Sequence, residues 1–239
     1  MAQTAFHRIF KPFKKILPDW IINPLRGLGT ACFGPILFAH RTGYYRSALM
    51  RKAVQKNGQP LPWYTYPAID FLKFRTYKDK NILEFGGGQS TLWWADKARS
   101  VVTLEGDQAW FNKIKGKMPP NVELHYVSME TKDINVAQVK DVLESLPHSS
   151  YDVIVIDGLY RVHLINIALQ YLTEDGIIVC DNAESYDFNQ GFRKSGLNRV
   201  DFFGNCPGVI LPHATSIYFS PSSFVFDIKH PLPDISRES

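Results

Sequence analysis

The stretch Tyr151-Asp-Val-Ile-Val-Ile-Asp157 sets the tightest limit on what this chain can fold into. It carries four consecutive β-branched apolar residues at positions 153–156. A run that is apolar on both faces fits a strand in the middle of a parallel sheet covered on both sides. Parallel neighbours need crossover connections, usually helices, and the flanking sequence supplies them. Asn81-Ile-Leu-Glu-Phe85 reads as a strand closed by Gly86-Gly87-Gly88, with Ser90 as N-cap of a helix carrying Leu92, Trp93, Ala95 and Ala98. Residues 101–105 form a second strand, and Asp107 opens a helix with Trp110, Phe111 and Ile114. Residues 122–126 alternate as a third strand, and residues 133–146 have a helical period. Val162, Ile165, Leu169 and Leu172 mark an amphipathic helix, and Ile177-Ile-Val-Cys180 is a buried strand ending at Asp181-Asn182. Residues 200–203 and 215–219 read as closing strands. The order predicts an α/β, doubly wound, mostly parallel sheet with right-handed crossovers.

Ligands in such sheets sit beyond the carboxyl ends of the strands, where the strand order reverses. Chemistry is therefore expected at residues 84–90, 105–107, 128–130, 157–161 and 181–182. Gly86-Gly87-Gly88, followed by an acid, Glu105, about 20 residues on, suits a nucleoside whose ribose hydroxyls both donate to that acid. NAD(P) and S-adenosylmethionine (SAM) compete for this reading. The third glycine of G-x-G-x-x-G is replaced by Thr91, and Glu84 lies two residues before Gly86. A carboxylate beside a pyrophosphate costs on the order of a few kcal/mol. SAM has no phosphate and carries an ammonium and a sulfonium, which an acid favours. No G-x-x-x-x-G-K-[ST] is present, so a P-loop is excluded. An NAD(P)-linked oxidoreductase and a catalytically silent binding protein remain as alternatives.

The segments Leu83-Glu-Phe-Gly-Gly-Gly-Gln-Ser90, Thr103-Leu-Glu-Gly-Asp107, Asp152-Val-Ile-Val-Ile-Asp-Gly158 and Gly176-Ile-Ile-Val-Cys-Asp-Asn182, taken in order, resemble the successive ligand-side motifs of class I SAM-dependent methyltransferases. The resemblance covers about residues 81–220 and implies a seven-stranded Rossmann-like sheet whose last strand, Thr215-Ser-Ile-Tyr-Phe219, inserts antiparallel. It implies Glu84, Gly86, Gly87, Gly88 and Ser90 around the methionine end of SAM and Glu105 on the ribose. Gly106, Asp107, Ser128 and Met129 would border the adenine, and Asp157 would floor the site near the methyl group.

Transfer from SAM is an in-line displacement, in which an alcohol must also lose its proton. The turn Asp157-Gly158-Leu159-Tyr160 lacks the prolines of the Asn/Asp-Pro-Pro-aromatic turn of nucleic-acid amino methylases. Cys206-Pro207 reverses the Pro-Cys order of a pyrimidine nucleophile. The acidic domain offers no basic track for a polyanion. No nucleic-acid partner is expected; the expected acceptor is a small-molecule or glycan-like hydroxyl. Asp157 and Asp181-Asn182 further resemble the oxygen ligands of catechol-type O-methyltransferases, which implies Mg²⁺ on Asp157, Asp181 and Asn182. That family's lysine after the strand-four acid is replaced here by Tyr160-Arg161, leaving His163 or Tyr160 as base beside Asp157. The plainer alternative has Asp157 shaping the cofactor floor while Asp181 or Asn182 caps the next helix.

Charge divides the chain. Residues 1–58 hold ten of the 27 Lys/Arg but one of the 23 Asp/Glu. The expected division is a basic, aromatic and Pro-rich, mainly helical extension over residues 1–78, the SAM domain over 79–220 and a tail over 221–239. The extension is expected to act as a substrate lid or as a membrane or oligomer contact, with residues 60–67 as lid or strap. In residues 5–20, Phe6, Ile9, Phe10, Phe13, Ile16, Leu17 and Trp20 recur at helical spacing between His7, Arg8, Lys11, Lys14 and Lys15. That is the pattern of a peripheral helix on anionic lipid, interrupted by Pro12. Docking on its own domain or a second subunit, or a targeting peptide, are rival readings. No apolar run reaches about 20 residues, residues 28–39 being the longest candidate, so no transmembrane helix is expected. Cys32, Cys180 and Cys206 share no C-x-x-C spacing, and the start lacks the apolar core of a secretory signal. Both features point to a cytoplasmic chain without a disulfide framework.

Overall fold

The structure is a computed structural model and describes residues 18–231. Three helices come first, α1 (Asp19–Arg41), α2 (Tyr44–Met50) and α3 (Tyr66–Lys73). There follow β1 (Asn81–Phe85), α4 (Gln89–Ala95), β2 (Ser100–Glu105), α5 (Gln108–Ile114), β3 (Val122–Tyr126) and α6 (Lys132–Ser145). The remainder is β4 (Tyr151–Ile156), α7 (Ile165–Tyr171), β5 (Leu172–Cys180), α8 (Phe188–Phe192), β6 (Asn198–Gly204) and β7 (His213–Phe219). One sheet runs in the order β3-β2-β1-β4-β5-β7-β6. β1 is parallel to β2 and β4, and β7 is antiparallel to β5 and β6. This is the doubly wound, seven-stranded Rossmann-like sheet that the sequence predicts. Strand order reverses between β1 and β4, so the ligand crevice opens above those two strands.

Alternation along each strand builds two cores. Ile82, Val101, Val153, Val155, Ile177 and Val179 face one layer with Trp93 and Trp94 of α4 and with Tyr64, Ile69 and Leu72 of the extension. Leu83, Phe85, Val102, Leu104, Ile154 and Ile156 face the other, against Val139 and Leu143 of α6 and Ile165 and Ala168 of α7. Burying each of the four apolar β4 side chains contributes roughly 1.5–3 kcal/mol. Trp93-Trp94 is core, as expected; Phe202 packs on the first core, whereas its neighbour Phe203 is exposed.

Residues 60–67 are tied down as a strap. Trp94 Nε1 donates to the Tyr64 hydroxyl (3.2 Å), Thr65 N donates to Thr215 Oγ1 (3.0 Å), and Tyr66 N donates to Asn205 O (2.9 Å). Beyond residue 220, Val225 is fully buried, and Phe226 packs on Phe71 and Phe219.

The N-terminal extension departs from expectation at one point. α1 is a 23-residue helix that continues through Pro24 and Pro35, so the apolar segment is much longer than residues 28–39. It is long and apolar enough to cross a membrane by length and composition. The two prolines remove one backbone donor each without ending the helix. Most of residues 5–20, where the peripheral-helix pattern lies, fall outside the described residues.

Candidate active site

The crevice at the switch point is a cleft of about 860 Å³. Its wall includes Gly86, Gly87, Gly88, Ser90, Glu105, Met129, Asp157, Asp181 and Asn182 from the sheet domain. Met50, Arg51, Lys52 and Trp63 close it from the extension.

The glycine turn fits tightly into its neighbours. Gly86 has φ +96°, and a Cβ there would come within 2.9 Å of Gly158 Cα and N. The β1 and β4 loops therefore touch backbone to backbone, which only glycine permits. Glu105 is clamped by two main-chain donors, Gly87 N to Oε2 (2.8 Å) and Asp107 N to Oε1 (2.7 Å). Each oxygen keeps a further lone pair for a ligand hydroxyl. Trp110 Nε1 donates to Gly87 O (2.7 Å), so the indole roofs the turn. Helix α4 starts earlier than Ser90 suggests: Gly88 is its N-cap, and Ser90 lies within the helix on the cleft wall.

Glu84 lies directly beneath the turn and does not line the cleft. It is fully buried, and Thr91 Oγ1 and Thr103 Oγ1 both donate to its Oε2. Its Oε1 has no hydrogen-bond partner. Burial pushes its pKa up to about 7 and the nearby charge of Asp157 adds to the rise, against the lowering effect of the neighbouring hydroxyls of Ser90, Thr91 and Thr103.

The adenine-side expectations divide. Met129 lines the cleft, and Met129 and Gly106 line a small adjoining void. Asp107 instead caps α5, accepting from Trp110 N (2.8 Å). Ser128 lies off the wall, its N–H donating to Gln138 Oε1 (2.6 Å).

The residues assigned to a metal are brought together, but a guanidinium lies among them. Arg161 pairs with Asp157 Oδ1 (2.9 Å) and donates to Asp181 O (2.5 Å), Asn182 Oδ1 (3.1 Å) and Gly158 O (3.0 Å). Asp181 turns away, accepting from Thr215 Oγ1 (3.0 Å). Among the described residues no three His, Cys, Asp or Glu side chains are grouped to hold a metal ion. The oxygen set does not fit Mg²⁺: the fixed cation of Arg161 already takes Asp157 Oδ1 and Asn182 Oδ1, and the Asp181 carboxylate is turned to Thr215. Burial raises the pKa of both Asp157 and Asp181; each carboxylate resists ionisation further because an acid lies nearby, while Arg161 opposes the rise. Neither Asp181 nor Asn182 caps α8; Asp187 does, accepting from Gln190 N (3.2 Å).

The expected bases are elsewhere. His163 is exposed and lies off the cleft wall. Tyr160, held at φ +58°, donates its hydroxyl to Met129 O (3.2 Å) and ties two loops together. The histidine in the cleft is His213, at the start of β7. Its Nδ1 meets Glu184 Oε1 (2.9 Å), and Glu184 Oε2 accepts from Ala214 N (2.8 Å). Burial would raise the Glu184 pKa, but these bonds from His213 and Ala214 outweigh it and hold the carboxyl below its usual range. Sequence offers no local signal for His213. It reaches Asn182 (3.3 Å) only because β7 inserts beside β5.

Residues 83–183 match the sequence model of a methyltransferase domain. The chain carries a methyltransferase domain over these residues. No curated protein matches the chain. Among solved structures the methyltransferase is similar to an O-methyltransferase from Bacillus cereus in complex with SAH, at 18% identity over 64% of this chain and 78% of that one, with a TM-score of 0.46. A methyltransferase-like protein from Silicibacter pomeroyi matches at 19% identity over 69% and 91%, with a TM-score of 0.46. The precorrin-6y C5,15-methyltransferase of Geobacter metallireducens matches at 15% over 64% and 86%, with a TM-score of 0.45.

Proposed function

We propose that this methyltransferase O-methylates a hydroxyl acceptor, a small molecule or glycan-like compound, without a metal. The observation that carries the reading is His213 on the cleft wall, paired behind it with Glu184. Glu184 fixes the tautomer with the proton on Nδ1, so the Nε2 lone pair is free to accept a proton.

The chain's residues suit SAM. Glu105, fixed by two amides, takes the ribose hydroxyls. The glycine turn admits the methionine end closely, Trp110 and Met129 provide apolar walls for the adenine end, and the unpartnered oxygen of Glu84 places negative charge under the cationic end. When bound, SAM supplies an electrophilic methyl: the acceptor oxygen bonds to the methyl carbon, the C–S bond breaks and its electron pair stays on sulfur. His213 Nε2 takes the hydroxyl proton as the oxygen attacks, and the imidazolium is stabilised by Glu184. Arg161 holds Asp157 and the Asp181-Asn182 corner rigid and offers positive charge beside a developing oxyanion.

The test is methyl transfer from radiolabelled SAM to phenols, sugars and long-chain alcohols compared with amines and thiols, with excess EDTA present. The reading predicts hydroxyl products undiminished by EDTA. Transfer to amines alone, or complete loss of turnover in EDTA, would overturn it.

A further inference from the structure

Helix α1 is composed against water. It includes Pro24 and Pro35 and three glycines, Gly27, Gly29 and Gly34, within 23 residues, and each weakens an isolated helix in aqueous solvent. Tertiary packing does not compensate, because Ile22 and Ala39 are its buried residues. Much of its outer surface is apolar: Trp20, Leu25, Leu28, Ile36, Leu37 and Phe38 are all exposed, and Asn23, Arg26 and Thr30 share one side of its first half. So much exposed apolar surface on one helix belongs in a protein core or in lipid, and α1 is not in the core.

The flanks and the polar groups suit lipid. At about 1.5 Å per residue the helix is about 34 Å long, against a hydrocarbon thickness of about 30 Å. Trp20 stands at one end, and Tyr44 and Tyr45 follow the other, where amphipathic rings sit at membrane interfaces. Inside the helix Thr30 Oγ1 donates to Arg26 O (2.9 Å), which removes a hydroxyl from the apolar medium. Arg26 is the one Lys, Arg, Asp or Glu between Asp19 and Arg41, and it lies in the first third, within reach of the interface. The chain before α1 carries Arg8, Lys11, Lys14 and Lys15, and Arg46, Arg51 and Lys52 follow it. This charge complements anionic phospholipid.

The apolar surface continues past α1 to the cleft. Leu49 is 86% exposed, Ile210 86% and Leu211 68%. Tyr44 donates to Val209 O (3.1 Å), which joins α2 to the loop bearing Ile210 and Leu211, while the neighbouring Met50 and Val209 line the cleft.

We infer that α1 inserts into a lipid bilayer as an anchor and holds the mouth of the cleft against the membrane surface. The cleft would then meet amphiphilic acceptors whose hydroxyl lies at the interface; that consequence rests on the O-methylation reading, whereas membrane insertion does not. The test is flotation of the full chain with vesicles of phosphatidylcholine and phosphatidylglycerol at 3:1. The expected result is co-flotation that survives both 1 M NaCl and alkaline carbonate, and a loss of at least tenfold in Leu28→Glu/Ile36→Glu that still binds SAH. Cys32, the exposed cysteine near the middle of α1, gives a second readout without mutation. It should react with a membrane-impermeant maleimide at least tenfold more slowly on vesicles than in the vesicle-free chain. Release by salt or carbonate would reduce the contact to peripheral electrostatics and overturn insertion. So would equal flotation of the double variant, or Cys32 equally shielded without vesicles, which would place α1 against its own chain or a second copy. SAH binding is read separately, so a failed anchor is distinguishable from a failed methyltransferase site.

Discussion

Glu84→Gln isolates the cost of keeping a carboxylate under the glycine turn. Glu84 is fully buried, its Oε2 accepts two threonine hydroxyls, and its Oε1 meets no donor. Its pKa rises from 4.5 to about 7 in the folded chain. The raised value fixes the sign. Below pH 4.5 the group is protonated in both states and costs nothing; between 4.5 and 7 the unfolded chain releases the proton first, and stability falls until the folded group ionises. A tenfold change in an ionisation constant is worth about 1.4 kcal/mol, so the loss reaches about 3 kcal/mol above pH 7. Glutamine keeps a carbonyl oxygen for Thr91 and Thr103 and cannot ionise. Its NH₂ replaces the unpartnered oxygen at a pH-independent cost of about 1–3 kcal/mol. The informative quantity is therefore the change with pH in the stability difference between variant and wild type. This difference also cancels the titration of groups that do not interact with Glu84; Asp157 does, its charge adding to the rise of the Glu84 pKa. Urea denaturation at pH 5 and pH 8 should show the difference moving by about 2–3 kcal/mol in favour of the glutamine variant. SAM or SAH adds a second consequence: a cation above the turn favours ionised Glu84, so wild-type SAH affinity should weaken by about tenfold from pH 7.5 to pH 6, and the variant's should not. A stability difference constant from pH 5 to 8 would refute the reasoning.

Other predictions follow from the same geometry. Arg161→Leu leaves Asp157 without its counter-charge and should destabilise the chain by about 3 kcal/mol at pH 8, with part of the loss recovered at pH 5 as the carboxylate protonates; thermal melts at the two pH values check it. His213→Gln should lower kcat by roughly 10²- to 10⁴-fold, on the order of a lost general base, while SAH affinity by calorimetry stays within about twofold. Glu184→Gln should lower kcat less, by loss of imidazolium stabilisation, and should leave the melting temperature within a few degrees. His163→Gln should leave kcat unchanged, since that ring lies outside the cleft.

Much of the architecture is legible because burial writes period and composition into a chain. The β-branched run of β4 and the glycine turn after β1 each declare their element locally, and the acid ending β2 follows from them. The seven-strand order comes only through resemblance to a family, since register between distant strands leaves no local mark. The cofactor side is legible for Gly86 and Glu105, where a backbone constraint or a hydrogen-bonding task demands a residue type. The position of Glu84 beneath the turn is not, because strand alternation gives a face but not a depth. The acceptor side differs from the sequence reading in two respects. Tyr160 and His163 are near Asp157 in sequence, but a left-handed turn at Tyr160 directs that hydroxyl into the neighbouring loop and places His163 off the cleft. The base that does face the cleft, His213, comes from a strand that pairs with β5 only after β6 has intervened in the chain, at a position without periodic signal. The metal reading fails because Arg161, four residues after Asp157, folds back onto the oxygens that a cation would have used. The full length of helix α1 is hidden because Pro24 and Pro35 read as breaks in sequence.

Calorimetry of SAH binding to the full chain and to Glu105→Ala tests the central claim, that the cleft above β1 and β4 is a SAM site, most directly. The account predicts binding to the wild type at one site per chain and a loss in the variant of at least tenfold, because two ribose hydroxyl bonds to a charged acceptor are worth about 1.5–3 kcal/mol each. SAH that binds both proteins equally, or a wild type that binds NADP and not SAH, would contradict it.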